Sequence, residues 1–184
     1  PQQNQIDLSH RLQAQTKPIA VAGIAEIHPC NTKSLEESVS PALAFLSQAT
    51  RGLYPMLQCF AASDSLSIHT NMIDSYDLLY LAASQLSDLN GTEQDSLNLY
   101  LKNGGTLFIE LPLYNEFAIA HLHDWITQIL RTPLTSWQDL RANHPLRSQP
   151  FLFAALPEID QNTIQLWSGG GIVFVAGSLS TAWA

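Results

Sequence analysis

The sequence predicts an α/β fold: a three-layer α/β/α sandwich built on a mostly parallel sheet, with an antiparallel hairpin towards the carboxyl end. Three observations predict it. Nearly continuous apolar runs at residues 18–27, 77–83 and 106–111 fit strands buried on both faces. Segments with apolar residues at helical spacing separate those runs, and strands that alternate with helices pair in parallel. Last, a glycine-rich turn joins two apolar stretches between residues 163 and 176, the pattern of a hairpin.

The elements follow in order. Residues 1–17 are polar and glutamine-rich at their start and read as a loosely held arm, leaving 18–184 as a single domain. Residues 18–27 make the first strand. The next helix takes Ser40 as its cap and Pro41 as its first residue, buries Ala42, Leu43, Leu46 and Ala49, and stops at Gly52. Ser34 with Glu37 offers a weaker start that Pro41 interrupts. Residues 57–60 read as a short strand and 77–83 as a long one. Thr92 with Asp95 has the form of a capping box, and Leu97, Tyr100 and Leu101 mark the buried stripe of the helix it opens. Gly104 and Gly105 end that helix, and the strand 106–111 begins at once. A helix over 116–131 buries Ala118, Leu122, Trp125, Ile126 and Ile129, and Ser136 with Asp139 caps a short helix before His144 and Pro145. The hairpin runs 163–167, turns on Ser168, Gly169 and Gly170, and returns over 171–176. The architecture this order describes is flavodoxin-like.

Composition narrows the partners. At 184 residues, 46% of them hydrophobic, the chain can bury a full core without disulfide or metal staples. Only 13% of residues are charged, so neutral polar groups wet the surface, as suits a domain that docks on something. The net charge is -8, and the eight Lys and Arg residues are scattered, so no basic stripe exists for nucleic acid or an anionic membrane surface. No apolar run has the length of a membrane-spanning helix, and a soluble domain is expected. Cys30 and Cys59 lack the spacing of a metal knuckle or disulfide framework, and read as two buried free thiols, with a single bridge as the alternative. The chain opens on Pro1 with no signal peptide, so cytoplasmic residence and export with a removed signal both stay open. Oligomeric state is not legible.

Residues 77–83, then Leu86-Ser87-Asp88, then residues 99–110 with their Asn103-Gly104-Gly105 turn, resemble the bacterial family called domain of unknown function 4159. His144-Pro145-Leu146 and the closing stretch 171–183, ending in Ala182-Trp183, resemble further landmarks of it. The family is similar to class I glutamine amidotransferase-like domains, and the resemblance implies a flavodoxin-like fold and no particular activity. Family strands of the 106–111 type commonly end in several acidic residues. Here Glu110 stands alone, followed by Leu111.

Nucleophile and cofactor motifs are missing. An amidotransferase cysteine needs a tight strand-to-helix elbow with small neighbours, and neither Cys30, between Pro29 and Asn31, nor Cys59, between Gln58 and Phe60, has one. Gly177-Ser178-Leu179-Ser180-Thr181 lacks the second glycine of a serine elbow, and Gly169-Gly170-Gly171 lacks the lysine of a phosphate loop. The informative cluster is Glu26, His28 and Cys30. In an extended chain these point one way, at the carboxyl end of the first strand, where open α/β sheets form their crevice. Glu110 ends another strand, and His144 could join from a loop. Glu26 or Glu110 would then be the catalytic base, and His28 and His144 ligands for a divalent metal. The plainer reading has Glu26 solvating a strand end and His144 fixing a turn. His121, His123 and Asp124 read as a solvated helix face, Trp125 as core, and Trp137, Trp167 and Trp183 as core or interface anchors. Of these, Trp167 beside the hairpin turn is the best exposed aromatic for a binding surface.

Two functions compete. One is a non-catalytic module, needing no cofactor, that binds a protein partner or a small ligand; a sugar or nucleoside stacked on Trp belongs with it. The other is a metal-assisted hydrolase at the carboxyl ends of the strands.

Overall fold

The computed structural model describes residues 20–31, 41–54, 56–69, 71–112, 116–148, 156, 158–159 and 162–177. The amino-terminal arm, the Ser34–Glu37 and Ser40 caps, and Trp183 lie outside them. The three apolar runs lie side by side and point the same way. β1 (Ala20–His28) pairs in parallel with β4 (Leu78–Ala82), and β4 in parallel with β5 (Thr106–Leu111). On the outer side of β1 lie two short strands in succession. β2 (Leu57–Ala61) runs beside its first half, and β3 (Leu66–Ser67) beside its last two residues. The segment between β2 and β3 leaves the ladder where the Ala62 amide bonds Ile24 O, and rejoins it where the Ile68 amide reaches His28 O. That detour brings Ser67 and His69 beside the end of β1. No feature of the sequence announced it.

Beyond β5 the order continues β10 (Ile172–Ala176), β9 (Gln165–Gly169) and β6 (Thr135–Ser136). The expected hairpin exists, and its two strands lie within the main sheet. β10 is a core strand parallel to β5, β9 runs against it, and β6 closes the edge. The turn also falls two residues later than the sequence pattern suggests. Gly170 and Gly171 both carry positive φ, 51° and 84°, which is the two-residue turn whose twist suits a right-handed hairpin. A separate two-stranded ribbon, β7 (Glu158–Ile159) with β8 (Asn162–Thr163), precedes it.

The two sheet faces are covered by different helices. α1 (Pro41–Leu53) packs Leu43 onto Ile24 and Cys59, with Leu78 and Tyr80 alongside. The alternate residues Ala25, Ile27, Leu79, Leu81, Leu107 and Ile109 face Leu97 and Tyr100 of α2 (Gly91–Lys102) and Ile119 and Ile126 of α3 (Glu116–Ile129). One face of β4 and β5 is fully buried at Leu79, Leu81, Leu107 and Ile109, while the other is partly covered at Leu78, Tyr80 and Phe108, so apolar residues stand on both.

Helix ends depart from the expected ones. α2 starts not at the Thr92–Asp95 pair but at a capping box two residues earlier. The Asn90 side chain accepts the Glu93 amide, and the Glu93 carboxylate accepts the Asn90 amide. α3 stops at Ile129, short of Arg131, which has turned into the left-handed region at φ 50°. Ser136 and Asp139 do bracket a short 3-10 turn, joined through their side chains at 2.7 Å. Beyond it, α4 (Pro145–Ser148) is a single turn.

Candidate functional site

At the carboxyl end of β1 the chain turns through Pro29 and Cys30 and meets the amino terminus of α2 and the end of β3. Glu93 is the centre of the meeting. It is fully buried, and its carboxylate oxygens accept the Cys30 amide at 2.6 Å and the Asn90 amide at 2.9 Å. Burial pushes this carboxyl up, but the Cys30 and Asn90 amides outweigh it, helped by the Cys30 side chain and the field of His69. Its pKa ends below the ordinary glutamate value. A helix amino terminus favours the same charge. Cys30 is exposed, not buried as expected, because the turn carries it past the sheet; its Sγ lies 2.9 Å from Ser67 Oγ. Cys59 is buried in β2, and both cysteines are free thiols. Glu93, Asn90 and Ser67 are the site residues that motif reasoning passed over. The Asn90-x-x-Glu93 spacing was a readable signal for the first two, and Ser67 had none.

Glu26 and Glu110 do share one face and one end of the sheet, the face that α1 covers. Glu26 lies level with Tyr80, and Glu110 level with Ala82, on the two strands that flank β4. The carboxylate-bearing positions are therefore two strand spacings apart, roughly 10 Å, and offset by about 7 Å along the strands. Tyr80 stands between them and commits to one side, its hydroxyl donating to Glu110 Oε2 at 2.8 Å. Glu110 is almost fully buried, while Glu26 is half-buried.

The histidines are engaged locally. His28 Nδ1 is 3.1 Å from Pro29 O. His144 caps α4: its Nδ1 accepts the Leu146 amide at 3.3 Å, and its backbone oxygen accepts from Arg147 and Ser148. Among the described residues no three His, Cys, Asp or Glu side chains gather in a way that could hold a metal ion. His121 and Asp124 are exposed, as expected of a solvated helix face, but His123, 3.5 Å from Asp124, is half-buried. Trp167 is half-buried, stacked on Phe174 at 5.2 Å and edge-on to His123 at 6.2 Å, so most of its surface packs on the core. Trp137 is buried, with the Arg147 guanidinium 5.5 Å above its ring. Among the described residues no helix is long and apolar enough to cross a membrane.

Fold and site together define an α/β domain with a mostly parallel sheet and its polar side chains gathered at the carboxyl ends of the strands. The family described as Domain of unknown function (DUF4159) matches residues 35–182, most of the chain. The chain belongs to that family. No curated protein matches it in sequence.

Proposed function

We propose that the chain is a non-catalytic binding module that takes a small polar ligand, or the polar segment of a protein partner, at the carboxyl ends of β1 and β3. The architecture proposed with it is a flavodoxin-like three-layer sandwich of the class I glutamine amidotransferase-like kind. Its support is the chain order of the long parallel strands, β2-β1-β4-β5-β10, which is the order of doubly wound sheets that bind ligands at a carboxyl-end switch point. In this chain that switch point lies between β1 and β4, beside Glu26, His28 and the Cys30 turn.

One observation carries the functional reading. Groups that could do chemistry there already have structural partners: Glu93 bonds two amides, Glu110 takes the Tyr80 hydroxyl, and His28 Nδ1 lies 3.1 Å from Pro29 O. A general base has to be within reach of a substrate proton. The surface of this end carries exposed Cys30 and His69 beside half-buried Ser67, whose hydroxyl lies 2.9 Å from the Cys30 thiol.

The second reading, a divalent-metal hydrolase with Glu26 or Glu110 as base and His28 and His144 as ligands, keeps one point in its favour: Glu26 and Glu110 occupy the same face and end of the sheet. Elemental analysis of purified protein and amide NMR during a small-molecule screen separate the two. Shifts that cluster on Cys30, Ser67 and Asn90 without bound metal support the module. Stoichiometric zinc or manganese, lost in Glu110→Ala and His28→Ala, overturns it.

A further inference from the structure

At the other end of the molecule, where α2 and α3 terminate beside the amino ends of β5 and β10, lies a cavity of about 560 Å³. That volume suits a small metabolite. Leu130 and Leu101 give it an apolar floor, and Lys102, Arg131 and Asp95 stand on its walls.

Arg131 is the informative residue. Among the described residues it is the one non-glycine with a left-handed backbone, at φ 50°. Its place, two residues past the end of α3, is where glycine usually closes a helix, and any side chain there is strained. A cation near a helix end does complement the dipole, and Lys102 in the last turn of α2 does the same. Dipole complementarity, however, asks neither for a left-handed residue nor for a cavity. The strained conformation places an arginine in the lining that Lys102 shares, where Asp95 is the acidic group among the described residues. Among the described residues the ion pair is His123 with Asp124, so no described carboxylate lies within ion-pair distance of Lys102 or Arg131. The Asn98 amide donates to Ile129 O at 3.2 Å and ties the two helices together at the width the cavity needs.

We propose that this cavity binds the carboxylate or phosphate group of a small metabolite between Lys102 and Arg131, with Asp95 accepting from a hydroxyl or amino group of the same ligand. Guanidinium and ammonium are the side chains that take oxyanions by charge-assisted hydrogen bonds. The site is independent of the carboxyl-end crevice.

The test is amide NMR titration of the full chain with inorganic phosphate and, separately, with glycolate, repeated for Arg131→Gly and Lys102→Gln. Saturating shifts at Lys102, Arg131, Thr132 and Gly170 are expected with at least one anion, and the tighter one tells phosphate from carboxylate. Each variant should bind at least about tenfold more weakly. Arg131→Gly should melt no lower than the parent, because glycine relieves the left-handed strain, and this separates ligand binding from folding. The proposal fails if neither anion saturates by about 50 mM, far weaker than metabolite sites bind. It also fails if Arg131→Gly binds as the parent does, or if the shifts fall on Cys30, Ser67 and Asn90 instead.

Discussion

Glu93→Gln is the sharpest test of the junction between β1, β3 and α2. The carboxylate is fully buried and accepts two amides, from Cys30 at 2.6 Å and Asn90 at 2.9 Å. Glutamine keeps one acceptor oxygen but turns an amino group towards the other N–H, so one buried donor loses its partner. That costs about 1–3 kcal/mol, and removing a negative charge from the first turn of α2 adds roughly 0.3–1 kcal/mol. A total of about 1–4 kcal/mol should lower the melting temperature by roughly 3–15 °C in a domain of this size. The pH dependence has a definite sign. The folded pKa lies below the ordinary value of 4.5, so the carboxylate's contribution is complete above that value and is lost as pH falls through the lower folded pKa. The gap between parent and variant should therefore be full at neutral pH and close in acid. Urea unfolding followed by far-UV circular dichroism, from neutral pH downwards, measures it. A neutral-pH difference inside about 0.5 kcal/mol, the range of an ordinary surface change, would refute the reasoning. So would a gap that acid leaves untouched.

Tyr100 gives the alkaline counterpart. Its hydroxyl donates towards Tyr76 O at 3.1 Å and Thr106 O at 3.2 Å and accepts the Thr106 amide at 3.1 Å, so Tyr100→Phe should cost about 1–3 kcal/mol by chemical denaturation. Burial pushes its pKa up to about 12, against the pull of the Thr106 amide and with Asp77 and Asp74 adding to the rise. The parent should be fully stabilised by this proton below pH 10 and lose stability, on the order of 2–3 kcal/mol, as pH climbs to the folded pKa, a loss that Tyr100→Phe should not show. For the cysteines, a thiol reagent should label one site in the folded protein and a second only in denaturant, since Cys30 is exposed and Cys59 is 2% exposed. Mass spectrometry should find native labelling gone in Cys30→Ser, and two labels on the folded chain would show that β2 does not seal Cys59.

The strands were legible because a sheet with one buried and one partly covered face writes itself as an apolar run, and Val21, Leu79 and Phe108 do lie on parallel neighbours. Membership of the family was legible too, in the Asn103-Gly104-Gly105 turn and the strand it feeds. The register between strands was not. Whether Glu26 faces Glu110 across β4 at a working distance depends on a two-residue offset and on Tyr80, which lies far from both in sequence.

The sequence by itself determined the α/β alternation, because periodicity and helix-breaking residues are local. Only the tertiary structure decided that Glu93 serves two elements at once. A capping box is a local pattern, but the Cys30 amide that completes it is 63 residues away along the chain. Tertiary packing likewise decided that β10 is a core strand, since a hairpin's own turn fixes how its strands pair with each other and says nothing about which of them meets β5.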